Sequence, residues 1–256
     1  MKSFFYCLYL LKSYSWFTSC LICMSVVFAS AATAEYQKPK TRSSPDARTT
    51  TSTATRGGCI NNQYSDLNLT AIAPYSHVGQ TTSTHPTFSW FIPDAEYFPL
   101  EFHLEEYTGD RLKTVHQAKL ASQPGIMSLS LPQNLPGLTV GKKYRWKIVM
   151  RCTRYKAVVT MAEIEVVAPT SELKTAFDRT SGISKIVELY GSTGLWYDAL
   201  EMTFDAANSH QLELQNQLIR QLAAVETKSN SDGVQRQAEK LDRIGDRLKY
   251  NLTVEN

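Results

Sequence analysis

Tyr144-Arg-Trp-Lys-Ile-Val-Met-Arg-Cys152 decides the fold: Tyr144, Trp146, Ile148, Met150 and Cys152 alternate with Arg145, Lys147, Val149 and Arg151. A period of two is that of a half-buried β-strand, with one face in a core and the other mostly wet. The inward row ends in Cys152, which needs a partner in an oxidising compartment. Just upstream, Leu138-Thr-Val-Gly141-Lys-Lys-Tyr144 places a Leu, a Gly and a Tyr at three-residue intervals before a strand. This resembles the tyrosine corner of Ig-like and fibronectin type III sandwiches, where the phenol bonds back to upstream backbone. Tyr144, Gly141 and the buried Trp146 are therefore expected to be structural.

Working outward, the flanking sequence repeats the strand signal. Leu69 to Ala73 is an apolar run ended by Pro74, and Phe88, Trp90 and Ile92 alternate before Pro93. Leu100, Phe102 and Leu104 alternate with Glu101, His103 and Glu105, and Thr108-Gly-Asp turns into a strand near Arg111 to Gln117. Met127, Leu129 and Leu131 follow, and the last strand carries Val158, Ala162, Ile164 and Val166. Seven short strands with regular turns predict an Ig-like or fibronectin-III-like antiparallel β-sandwich over residues 56–168, with Trp90 in its core. Past Pro169 the period becomes helical, which predicts an α+β chain with a small helical region at 169–227. A polar break at Lys228 to Gly233 then separates an amphipathic tail, 228–256, whose stripe is Val234, Ala238, Leu241, Ile244 and Leu248 and whose other face is charged. It reads as a loosely docked tail or a partner-binding helix.

The N-terminus reads as a secretory leader, 1–34: Lys2 and Lys12, an uncharged run from Trp16 to Phe28, then Ala29-Ser-Ala-Ala-Thr-Ala34. Cleavage after Ala31 and after Ala34 fit equally well, and a retained membrane anchor is the alternative. Export predicts a periplasmic or cell-surface location. Removal of the leader takes Cys7, Cys20 and Cys23 with it and leaves Cys59 and Cys152. These are expected to form one disulfide, pinning the entering segment to the far end of the organising strand, with two free buried thiols as the alternative. Residues 35–55, rich in Lys, Arg, Ser, Thr and Pro without apolar periodicity, read as a disordered linker. Its basic residues Lys38, Lys40, Arg42 and Arg48 could graze an anionic membrane surface.

Charge and motif searches narrow the chemistry. Losing Lys2 and Lys12 from the 27 basic residues leaves 25 against 24 acidic, so no electrostatic footprint for nucleic acid is present. The five histidines show no i, i+4 pair, and His103, Glu105 and His116 read as an accidental wet-face cluster and not a metal site. There is no Gly-x-Ser-x-Gly elbow and no phosphate-binding loop, so neither catalytic residues nor cofactors are expected. Two groups remain as candidates for binding. Arg145, Lys147 and Arg151 line the outer face of the organising strand, where Glu163 and Glu165 on the next strand are expected to balance them. Trp196 and Tyr197 are adjacent on a helix, so Trp196 is expected in the core with Tyr197 at its rim.

Five ordered motifs carry a family resemblance: Arg56-Gly-Gly-Cys59, Pro86-Thr-Phe88, Pro124-Gly-Ile-Met-Ser-Leu-Ser-Leu-Pro132, Leu138-Thr-Val-Gly-Lys-Lys-Tyr-Arg-Trp146 and Gly194-Leu-Trp-Tyr-Asp-Ala-Leu200. From about Arg56 to Val225 the chain resembles DUF928, a domain of unknown function met mostly in cyanobacterial exported proteins. The resemblance implies export and no particular activity. The expected function is a non-catalytic binding or structural module of the cell envelope with a protein or glycan partner. The rival is a periplasmic hydrolase working through paired carboxylates.

Overall fold

The alternating stretch forms the central strand of the larger of two sheets. The computed structural model describes residues 35–40, 59, 67–93, 97–204 and 209–254, all within the second of the chain's two compact units, Ala34–Asn256. The stretch read as a secretory leader, 1–34, residues 41–55 of the expected linker and the Arg56-Gly-Gly start of the first motif lie outside the described residues. In chain order the strands are β1 (Thr70–Ala71), β2 (Gly79–Thr81), β3 (Thr87–Ile92), β4 (Pro99–Thr108), β5 (Arg111–Ala121), β6 (Gly125–Ser130), β7 (Lys143–Arg151) and β8 (Ala157–Val166). The helices are α1 (Ser171–Arg179), α2 (Ile183–Ser192), α3 (Trp196–Glu201), α4 (Ser209–Thr227) and α5 (Asp232–Val254).

The strands form a three-stranded sheet, β1-β3-β6, and a five-stranded sheet, β2-β8-β7-β4-β5. From β7 the inward row Tyr144, Trp146, Ile148 and Met150 is fully buried, as are Leu100, Phe102 and Leu104 from β4. Against them, β3 of the other sheet sets Phe88, whose ring centroid lies 5.1 Å from Phe102 and 5.7 Å from Trp146. Interdigitated aromatic rows of this kind supply most of the burial that holds two sheets face to face. Among the described residues the chain is thus α+β, with two packed sheets and five helices. The expectation of wholly antiparallel strands is corrected at one place, because β2 runs parallel to β8 with Gly79 opposite Ile164 and Thr81 opposite Val166. Gly79-Gln-Thr81 carries no apolar alternation. It becomes a strand because α3 lies against it, the Tyr197 ring standing 2.7 Å from where a Cβ on Gly79 would be.

Two further expectations change. The segment Glu35–Lys40 is docked and not a free linker: Tyr36 is buried, its N–H donates to Gln221 Oε1 (3.0 Å), and Gln37 N–H donates to Gly191 O (3.1 Å). A single aromatic with a deep seat outweighs the polar composition around it. This strap crosses the α2–α3 break at Gly194, whose φ of +85° and approach to Pro39, 2.9 Å from an added Cβ, both require glycine. Likewise the C-terminal stripe is part of the body. In α5, Val234, Ala238, Leu241 and Ile244 are buried, Gln237 Nε2 donates to Ala71 O of β1 (2.9 Å), and Arg220 of α4 pairs with Asp242 and Asp246. The apolar stripe that looked unclaimed along the sequence matches the stripe of α4 (Leu218, Ile219, Leu222 and Val225), and the two helices hide each other.

Candidate functional site

The tyrosine-corner residues come together at the start of β7. Thr139 N–H donates to the Tyr144 hydroxyl at 2.9 Å, and Gly141, at φ +82°, turns the chain between them. Trp146 lies behind Tyr144 in the core and donates from Nε1 to the Tyr197 hydroxyl (2.8 Å), which donates in turn to the carbonyl of Glu163 (3.0 Å). Trp196 donates to Ile72 O (3.0 Å) and meets the Tyr36 ring edge-on at 5.1 Å. Trp196 and Tyr197 are therefore both buried, which corrects the expectation of a rim Tyr197. Helix α3 is enclosed on two sides, by the sheets and by the strap, so adjacent residues find separate interiors. Trp90 is buried in β3, where its indole N–H meets no acceptor among the described residues. Cys59 and Cys152 form the disulfide, with Cα atoms 4.9 Å apart.

A polar cluster lies beneath the strap. The side chain of Glu226, 0% exposed at the end of α4, accepts from the Tyr75 N–H (3.3 Å), the Ser76 N–H (2.8 Å) and the Ser76 hydroxyl (2.8 Å). Ser76 Oγ also lies 3.0 Å from His77 Nδ1, while His77 Nε2 shares a 2.7 Å hydrogen bond with the Tyr36 hydroxyl. Burial raises the Glu226 carboxyl. Burial, aided by Lys38, lowers His77 to about 3. Although Ser, His and a carboxylate meet here, the order of a catalytic relay is broken. The serine donates directly to the carboxylate, and the far imidazole nitrogen is occupied by a tyrosine. What this arrangement does is fasten three distant segments together.

Carboxylates also meet on α3, where Asp198 and Glu201 are three residues apart. Burial raises both, and the Asp198 charge raises Glu201 further. Asp198 accepts from the Thr82 N–H (3.0 Å) and hydroxyl (2.6 Å), and Glu201 accepts from the Thr87 hydroxyl (3.0 Å). Each oxygen so engaged ties α3 to a strand end.

On the outer face of the five-stranded sheet, Arg145, Lys147 and Arg151 stand in one row, but their partners differ from those expected. Arg145 (2.7 Å) and Lys147 (3.0 Å) both bind Glu105, and Arg151 binds Glu101 (2.7 Å). Burial raises Glu105, yet the hydrogen bonds from Arg145 and Lys147 outweigh it and hold the carboxyl below its usual range. β7 lies between β4 and β8, so Arg145 stands opposite Glu105 on one side and Glu163 on the other. Glu163 is buried and accepts from the Tyr107 hydroxyl (2.6 Å), whereas Glu105 meets the cations on the outer face. His103 faces Gln117 and Lys147, whereas His116 pairs with Leu104 and approaches Phe102, so the two histidines lie on opposite faces. No group of three metal-binding side chains occurs among the described residues.

Beyond this row, among the described residues, the sheet ends in β5, which pairs with β4 alone. Its register slips between Leu104/His116 and Glu105/Thr114, leaving Val115 as the extra residue of a bulge. Pattern reading placed this strand but gave no reason to single it out, since Arg111-Leu-Lys-Thr-Val-His-Gln-Ala-Lys-Leu-Ala121 has a strand's composition and no chemical motif. Glu226, Ser76 and His77 escaped notice because their partners are about 150 residues apart in sequence.

Among solved structures the chain is similar to astrotactin-2, described as a vertebrate-specific and perforin-like membrane protein involved in neuronal development. That match has 14% identity and a TM-score of 0.27, and covers 68% of this chain and 34% of the other. It is also similar to a β-glucosidase from Listeria innocua, at 10% identity and a TM-score of 0.21, over 52% of this chain and 22% of that one. The chain spans about a third and about a fifth of these proteins, and likenesses this low support no conclusion about fold or activity. No curated protein matches the chain. Residues 51–232 match DUF928, Domain of Unknown Function, a stretch that holds both bridged cysteines, the corner and α3 but neither the strap nor the body of α5. Since that match covers well over half of the sequence, the chain belongs to the DUF928 family.

Proposed function

We propose that this protein is an exported, non-catalytic binding module of the cell envelope, with a protein or glycan partner. The observation that carries the reading is the division of labour among its polar groups. Glu226, His77, Asp198 and Glu201 hold backbone and hydroxyl donors inside the body, while the outer row of β4, β5 and β7 is turned to solvent. Treating the two sheets as an Ig-like or fibronectin-III-like sandwich rests on the Thr139–Tyr144 corner, and such sandwiches present their strands and loops to partners. Lys38 and Lys40, exposed on the strap, are the described part of the basic segment that would lie nearest an anionic surface.

One observation favours the rival hydrolase: Asp198 and Glu201 are two carboxyls of displaced pKa on one short helix. A single experiment separates the readings. The full-length chain, D198N and E201Q are incubated with isolated envelope polymer, and both soluble fragments and retained protein are measured. The binding module predicts retention without fragments for all three chains. Fragment release by the natural sequence that E201Q abolishes while the variant stays folded overturns it.

A further inference from the structure

We infer that the edge strand β5 is a docking site for an acidic, extended polypeptide segment, which adds to the five-stranded sheet as a sixth strand. The inference rests on the binding reading and names its partner class. β5 runs for 11 residues without Gly or Pro, and β4 is its only neighbour among the described strands. One row of its backbone N–H and C=O groups therefore has no ladder partner there, which is what an added strand uses. Leu112 and Val115 are each 37% exposed beside it.

Charge identifies the occupant. Arg111, Lys113 and Lys119 are exposed, 111–121 holds no acidic residue, and none of the three cations takes part in an ion pair among the described residues. Their own sheet cannot neutralise them. Lys119 lies opposite Glu101 and Lys113 opposite Glu106, and those carboxylates are already held by Arg151 and Lys142. A second copy of the chain is the wrong occupant. A strand identical to β5 would bring three more cations and no acidic residue to this edge, and like charges gathered along a ladder destabilise it. The same cations suit a strand bearing Glu or Asp.

The test uses the full-length chain and a capped eight-residue peptide that alternates Glu with Val and Thr, with a Lys-for-Glu version as control. Binding is followed by fluorescence anisotropy and by amide hydrogen exchange. The Glu peptide is expected to bind in a salt-sensitive way and to slow exchange within 111–121. K113E/K119E should weaken it roughly tenfold and favour the Lys peptide. K113A/K119A, which adds no repulsion, should fall between the two, and thermal melts establish that both variants fold. Equal binding by all three chains, protection elsewhere than β5, or no binding of the Glu peptide overturns the inference. So does concentration-dependent protection of β5 without peptide, which would mark a second copy as the occupant. Retention on envelope polymer that persists in K113E/K119E while the Glu peptide fails to bind would leave the binding module standing and remove only the strand-addition site.

Discussion

The two ends of the paired sheets are finished in opposite ways. At one end every residue of β1 and β2 is buried, and helix α3, helix α5 and the strap close over them. At the other end β5 and β6 are terminal strands of their sheets, and most of β5 is exposed. The difference lies in where hydrogen bonds are completed. The closed end satisfies backbone in β1 and just past β1 and β2 with side chains from remote segments, Gln237, Trp196 and Asp198. At the open end no described strand lies beyond β5 or β6. A buried polar group that loses its partner is costly, whereas an exposed one merely returns to water, so the two ends should respond very differently to substitution.

The largest effect is expected from removing α5 by termination after Ser231. The interior loses Val234, Leu241 and Ile244, and the α4 stripe is uncovered. At about 2 kcal/mol for each large aliphatic residue, the loss is roughly 6 kcal/mol. Thermal unfolding followed by circular dichroism should show a broad, early transition or none, and a near-normal melt would mean that the closed end does not depend on α5.

Acid should open the closed end next. His77 is lowered to about 3 from 6.5. Between those values the unfolded chain binds a proton that the folded chain refuses, so stability rises with pH across that window and is lost as pH falls. The full window corresponds to about 5 kcal/mol. Glu226 acts in the opposite sense, because its raised pKa withdraws stability as pH climbs beyond 4.5. Urea midpoints from pH 3 to 7 should therefore climb less steeply in H77Q than in the natural sequence, and identical slopes would exclude His77 as the source.

Glu226→Ala strands two N–H groups and a hydroxyl. A cost of about 3 kcal/mol in urea unfolding is expected. Tyr144→Phe removes one hydrogen bond, that from Thr139, and should cost about 1 kcal/mol. At the open end K113E should change stability by no more than about 0.5 kcal/mol, since it alters an exposed strand edge. A K113E penalty as large as that of Glu226→Ala would erase the distinction between the two ends.

The open end was the more legible in sequence. Strands β4, β6, β7 and β8 announce themselves by alternation, because a strand with one dry face must alternate, and β5 by the Thr108-Gly-Asp turn before it. The corner at Tyr144 is equally local, with its residues five apart. The closed end is assembled from contacts that no window of sequence contains. Gly79-Gln-Thr81 is a strand only because β8 and Tyr197 lie beside it. Tyr36 sits in a polar stretch whose average hides one deeply seated ring. Trp196 and Tyr197 point in different directions from one helix, and a reading that gives a helix a single buried face must expose one of them. Likewise the outer cations were placed on the correct face, but Glu105 and Glu163 stand opposite Arg145 on its two sides, and the burial of Glu163 beside Tyr107 is not written in any local pattern.

The strap also sets a timetable. Tyr36 is held by Gln221, 185 residues later in the chain. A polypeptide is made N-terminus first at about 5 to 20 residues per second, so the seat for Tyr36 comes into existence roughly 10 to 40 seconds after Tyr36 itself. The sheets can begin to pair during that interval, but the strap cannot dock until α4 has emerged. Residues 35–40 are thus among the first of the described residues to be made and among the last to find their place.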